Sequence, residues 1–320
     1  MLLKDLLEQF NIAANTAFNK GYQELEPELA MLVYKFNSGN VSSTKFPITK
    51  IMSKISEFKG NRIHNSPADA FYVTIENKEF DGAIDIPRRD LLRAQTANSL
   101  VGLDMYVKEI ESLGMEAKDQ PYEDVLTYLE AGAASTYGTT FDQQPLFDTD
   151  HKFGPDAGSQ SNLLSGTGTT SAQISADLLK AMAAIRGFYY SMDAAGTANA
   201  KKRKLNRNPE FVVICPDALV ETFNSINKAE YLNSSSNTLK GMLKAVISRP
   251  FSDANDWYLA DVSEANVKPF ILSIEEEPKI QNPEMNDYAL QEHKVMTWGL
   301  EGFSYGKAYG AWWKIVKTTN

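Results

Sequence analysis

The residues that first suggest chemistry are Asp148, Asp150 and His151, in the irregular stretch QPLFDTDHKFGPDAGSQSN from Gln144 to Asn162. Two carboxylates beside an imidazole could hold a divalent metal ion and activate a water, as in a metal-dependent hydrolase. The rest of the chain argues against that reading. Such a site usually takes more than one imidazole or thiolate. The three histidines, His64, His151 and His293, are far apart, and none lies in an HExxH or HxH pattern. The simpler reading is a polar loop in which Asp148 or Asp150 accepts hydrogen bonds from local backbone amides. The run Gly166-Thr167-Gly168-Thr169-Thr170-Ser171 is a loose match to a phosphate loop, with no third glycine and no Gly-Lys-Ser/Thr step. It reads as a surface loop. No serine sits in a GxSxG elbow. The 41 acidic residues offer carboxylate pairs everywhere and so single out none. Glu275-Glu276-Glu277 reads as a solvated strand end. No catalytic, cofactor-binding or metal set emerges, and a hydrolase centred on Asp148, Asp150 and His151 is the alternative to be tested.

Composition narrows the classes further. With 320 residues, 43% hydrophobic and 23% charged, the chain is an ordinary globular sequence. It is long enough to split into two or more lobes. No apolar run approaches the ~20 residues that span a membrane. Asp5 and Glu8 interrupt the first apolar stretch, so a secretory signal is not expected. The single cysteine, Cys215, excludes an intramolecular disulfide and fits a reducing cytosol. It lies in FVVICP, a buried-strand pattern, and reads as inert core. A net charge of −9 argues against a chain built to grip nucleic acid. The basic run Lys201-Lys202-Arg203-Lys204 could touch nucleic acid or an acidic partner, which makes a nucleic-acid-binding module a further alternative, but it reads more simply as a solvated loop tip between a helix and a strand.

The elements that would position these residues follow from periodicity. Leu2, Leu3, Leu6, Leu7, Phe10 and Ala13/Ala14 recur at helical spacing and predict an amphipathic helix over 2–19 that needs a partner surface. Residues 20–44 read as extended. Phe71, Val73 and Ile75 alternate with Tyr72, Thr74 and Glu76, and the alternation resumes at Phe80, Gly82, Ile84 and Ile86. Either Asn77-Lys78 is a hairpin turn, or the tip is the polar cluster near 58–69. Pro87 opens a helix with a stripe of Leu100, Leu103, Val107 and Ile110, and Gly114 is a plausible C-cap. That predicts about 25 residues, roughly 37 Å. A second helix is expected from Pro121. Further on, the patterns give helices over 174–190 and 216–227 and strands over 211–215, 243–248 and 256–260. Alternating segments over 268–275 and 295–309 end in AYGAWWKIV. The fold class is α+β, without a solenoid repeat.

Several segments, taken in order, resemble the Mu-like major head subunit, the gene T product of tailed bacteriophages. They are KFPITKIMSKI, FYVTIENKEFDGAIDIPRRDL, the helix after it, QPLFDTDH followed by Ser161-Asn162, WYLADVSEANVKPFILSIEEEPKIQ, and WGLEGFSYGKAYGAWW. The resemblance implies a Hong Kong 97-type capsid fold. It places an N-terminal arm at 1–44, an extended loop at 45–86, a peripheral domain with a spine helix at 87–159, an axial domain at 160–265 and a return to the peripheral domain at 266–320. It favours the loop tip near 58–69, and implies that the histidine loop is structural. The implied function is that of a major capsid protein forming hexamers and pentamers of an icosahedral, DNA-filled shell, with no cofactor and no membrane. Candidate intersubunit contacts are Lys59, Arg62 and Asp69 at the tip and Leu3, Leu6 and Phe10 on the first helix. The implied partners are further copies of the chain, a separate scaffolding protein, portal and decoration proteins, and packaged DNA held by weak non-specific contact. Assembly is expected in the bacterial host cytoplasm, with the product in the virion. No large scaffolding domain is expected before the arm.

Overall fold

The computed structural model describes residues 3–24, 27–48, 71–154, 158–191, 202–232, 235–283 and 295–320. In chain order these form α1 (Leu3–Glu24), β1 (Val33–Asn37), β2 (Ser43–Ile48), β3 (Phe71–Glu76), β4 (Lys78–Glu79), β5 (Ala83–Pro87), α2 (Arg88–Ala97), α3 (Asp104–Glu130) and β6 (Leu163–Ser165). There follow α4 (Ser171–Gly187), β7 (Tyr189–Ser191), β8 (Lys202–Lys204), β9 (Phe211–Cys215), α5 (Asp217–Lys228), β10 (Tyr231–Leu232), β11 (Ser235–Ser236) and β12 (Leu243–Ser248). The chain closes with β13 (Trp257–Asp261), β14 (Phe270–Glu276), β15 (Lys279–Gln281), β16 (Val295–Glu301), β17 (Ser304–Tyr309) and β18 (Ile315–Thr319). The mixture is α+β, as the periodicity predicts.

The apolar stripe of α1 finds its partner within the same chain. Leu6, Leu7, Phe10, Ala14 and Phe18 are buried, and α1 packs along α3. The Phe10 ring meets Trp298 edge-on at 4.9 Å, and the Trp298 indole N–H donates to Asn11 at 2.8 Å. This corrects the expectation that Leu6 and Phe10 face a neighbouring subunit: both are fully enclosed in the chain's own core, and Leu3 packs partly buried against it. The helices cross at two glycines. A Cβ on Gly114 would strike the Phe18 carbonyl, and one on Gly21 would strike the Glu111 carbonyl. Close backbone approach, not termination, is therefore why residue 114 is glycine, and α3 runs on through it and through Pro121.

The single long helix expected from Pro87 is in fact two. The break falls at Asn98, a C-cap in the left-handed region with φ 51°, a conformation that asparagine tolerates better than most residues. A 3₁₀ turn at Val101–Leu103 then leads into α3, whose 27 residues extend about 40 Å.

Two larger sheets organise the molecule. The first has strand order β12-β9-β13-β18-β6, with α4 and α5 packed on it. Every residue of β9 and β13 is buried, as expected of strands covered on both faces. The second has order β1-β14-β17-β4, and β5, β15 and β16 form a small third sheet. Residues 266–320 do not stay together as expected. After Trp312 and Trp313 the chain leaves the second sheet, and β18 inserts between β13 and β6 of the first.

The region expected as an extended loop begins as a ribbon. β2 and β3 pair antiparallel from Ser43↔Glu76 to Ile48↔Phe71. Asn77-Lys78 is not its hairpin turn. Asn77 passes the chain from β3 into β4, and its side-chain amide donates to the Val41 carbonyl at 2.7 Å. The expected tip, with Lys59, Arg62 and Asp69, lies outside the described residues. The basic run is also corrected: Lys202–Lys204 are strand β8, paired with β7, and the Lys202 ammonium lies 4.3 Å from the Tyr189 ring centroid. Lys201 lies outside the described residues.

Candidate functional site

The histidine loop is held by both of its ring nitrogens. His151 is fully buried. Its Nδ1 lies 2.8 Å from a carboxylate oxygen of Asp142 and its Nε2 lies 3.2 Å from the Leu146 carbonyl. The imidazole stacks on Trp312 at 4.4 Å with an interplanar angle of 6°. No nitrogen remains to ligate an ion. Burial by itself would raise the Asp142 carboxyl pKa. The hydrogen bonds from His151, Thr140 and the Lys152 amide outweigh it and hold that carboxyl below its ordinary value.

The two aspartates do other work. An Asp148 side-chain oxygen accepts from the Asp150 amide at 2.9 Å, the local capping that the sequence suggested. Asp150 is half-exposed and bonded to Ser159 and Lys152, which hold its carboxyl pKa down. Among the described residues no three His, Cys, Asp or Glu side chains gather as a metal site. The alternative of a hydrolase centred on Asp148, Asp150 and His151 is therefore corrected: the three side chains have separate partners and do not converge.

Asn162 completes the loop. It is fully buried, and its amide nitrogen donates to the Leu146 carbonyl at 2.7 Å and the Trp312 carbonyl at 3.1 Å. Its side-chain oxygen accepts from the Asp148 amide at 2.9 Å. His151 and Asn162 thus tie one irregular segment to the turn that leads into β18. Asp142 and Trp312 were not singled out in the sequence. They lie 9 and 161 positions from His151, and no local spacing links them.

The Gly/Thr run has a structural task as well. Thr170 and Gln173 form a capping box at the start of α4, and the Thr167 amide and hydroxyl both bond Asp177, at 2.7 and 3.0 Å. Cys215 is buried in β9, and burial pushes its thiol up to about 12, which leaves it unreactive.

A family model described as the Mu-like prophage major head subunit gpT matches residues 7–190, more than half of the chain. The chain belongs to this family. It is a major capsid protein of the tailed-phage type. Among solved structures, the procapsid of bacteriophage JBD30 matches at 17% identity with a TM-score of 0.56, over 99% of this chain and 75% of that one. The capsid of the cyanophage P-SCSP1u matches at 13% identity with a TM-score of 0.50, over 92% of this chain and 88% of that one. At such identities the likeness is one of fold, and that fold is the Hong Kong 97 type. Among curated proteins, none matches the sequence. In the capsid subunit no helix among the described residues is long and apolar enough to cross a membrane.

Proposed function

We propose that the capsid subunit assembles with copies of itself into hexamers and pentamers of an icosahedral shell enclosing double-stranded DNA, and that it catalyses no reaction. The family match over residues 7–190 carries this reading. The ribbon supports it physically. A two-stranded hairpin is only marginally stable in water, and among the described residues β2 pairs with β3 alone, so such a ribbon gains by lying on a neighbour. Subunits in closed rings meet through repeated head-to-tail contacts of this kind. The locked histidine loop and the buried thiol support the absence of chemistry.

In this reading the sheet of β9, β12 and β13, with α4 and α5, is the axial domain. The peripheral domain is built on α3 together with α1, and residues 45–86 are the extended loop. Lys59, Arg62 and Asp69 are its contacts with a neighbour. Exposed ion pairs contribute well under ~1 kcal/mol each, so their effect depends on repetition around the shell. The partners are a separate scaffolding protein, a portal, a decoration protein, and DNA touched weakly, as the charge of −9 favours. Assembly takes place in the host cytoplasm and the product is the virion. The test is negative-stain microscopy of concentrated subunit, alone and with its scaffold. Closed particles of uniform diameter are expected. A subunit that stays monomeric under both conditions refutes the reading.

A further inference from the structure

A cleft of about 280 Å³ opens beside the base of the ribbon, where the outer edge of β2 faces β1 and the start of β14. Its walls are apolar: Tyr34, Phe46, Ile48 and Ile271, with buried Trp313 among its lining. Among the described residues lining it, Lys268 is the one charged side chain. Lys268 is half-buried, and its ammonium donates to the Val262 carbonyl at 2.9 Å. An ammonium carries three donors, so two directions remain. The nearby carboxylates are committed elsewhere. Asp261 pairs with Lys314 at 2.6 Å, and Glu210 pairs with Lys244 at 2.7 Å. Among the described residues no carboxylate lies within ion-pair distance of Lys268.

An apolar slot with one cation and no acid selects a segment that brings a carboxylate among apolar side chains. The subunit itself has an excess of carboxylates, 41 acidic residues against 32 basic ones, so a second copy is complementary in charge to this cation. We infer that this cleft receives an Asp- or Glu-bearing apolar segment of a second copy of the chain, the carboxylate pairing with Lys268. The inference rests on the shell-forming reading above and adds to it a specific anchor. Burial lowers the Lys268 pKa, helped by nearby Lys314, which is the condition of a cation that a carboxylate would relieve. The outer edge of β2 supplies a second reason. Among the described residues β2 pairs only with β3, and Pro47 on β2 cannot donate a ladder hydrogen bond, so the cleft offers side-chain contacts in place of strand addition.

The test uses the full chain with Asn266→Cys, at the exposed rim of the cleft, coupled to a benzophenone maleimide; the native Cys215 is buried and does not compete. After irradiation of assembled shells, cross-linked dimers are expected, joined at a segment of the second copy that contains Asp or Glu. Adding Lys268→Gln should lower their yield at least fivefold. As an independent measure on unmodified protein, acetylation of Lys268 by an N-hydroxysuccinimide ester should slow at least tenfold on assembly. Shells that form normally while cross-links stay within one chain, or join another protein, or ignore Lys268→Gln, overturn the inference and leave the shell reading intact. Equal Lys268 reactivity before and after assembly overturns it too. Wild-type protein that builds no shell removes the shell reading, and the inference with it.

Discussion

Replacing His151 by alanine tests whether the histidine loop is structural. The substitution leaves Asp142, whose side chain is 8% exposed, without the partner that sits 2.8 Å away. Removing one member of a buried pair costs up to about 3–5 kcal/mol, the lower end applying here because Thr140 and the Lys152 amide still bond the Asp142 carboxylate. Loss of the stack on Trp312 adds about 0.5–1.5 kcal/mol. Native subunits have only about 5–15 kcal/mol in total, so the variant should unfold at markedly lower urea or temperature, by roughly 6–10 °C. Trp312 stacks on the ring, so tryptophan fluorescence reports the event directly. A double variant, His151→Ala with Asp142→Asn, removes the stranded charge and should recover about 2 kcal/mol. The pH dependence has a defined sign. The Asp142 carboxyl pKa is lower folded than unfolded, so the stability it contributes is complete above about pH 4 and is lost as pH falls through the folded value. Asp142→Asn should flatten that acid limb. If His151→Ala unfolds within about 1 kcal/mol of the parent, the loop is not held as described.

Three further outcomes are expected. Deleting residues 1–24 should leave a monomer without a cooperative melt. Burying Leu6, Leu7, Phe10 and Phe18 contributes about 6–12 kcal/mol, and a deletion variant that melts like the parent would show that α1 is dispensable to the core. Gly114→Ala should destabilise the subunit by about 1–3 kcal/mol in urea titrations, since its Cβ meets the Phe18 carbonyl; an unchanged midpoint would mean that the helices can separate freely. Lys314→Met should cost about 3–5 kcal/mol by removing the ion-pair partner of fully buried Asp261, while Lys314→Met with Asp261→Asn, which keeps an oxygen for the Glu210 and Ser263 amides, should restore part of it, and equal losses in both would contradict the pairing.

Much of this architecture was legible in the chain. The strands β3, β9, β12 and β13 and the helices α4 and α5 follow from periodicity, because each buries a face or a whole run of apolar residues. The misreadings share one cause. Gly114 resembles a C-cap until α1 is seen to cross there, and Asn98 ends α2 through a backbone conformation that no hydrophobic pattern marks. The stripe on α1 was correct, but a stripe does not say whose surface covers it. At the histidine loop the count of imidazoles argues against a metal set. The sequence could not supply Asp142 and Trp312, which meet His151 through the tertiary fold and not through any local spacing. The ion pair of Lys314 and Asp261 was hidden for the same reason, its members being 53 residues apart.

The insertion of β18 between β13 and β6 has a consequence for biosynthesis. Residues 163–165 and 257–261 leave the ribosome well before residues 315–319 that must lie between them. Until then β13, with Trp257, Leu259 and Ala260, presents an open apolar edge in a nascent chain. Such edges pair with whatever strand is near, and on a polysome that is another unfinished copy of the same sequence. Shielding β13 during translation should therefore raise the yield of soluble protein, and co-expression with a chaperone is expected to show it.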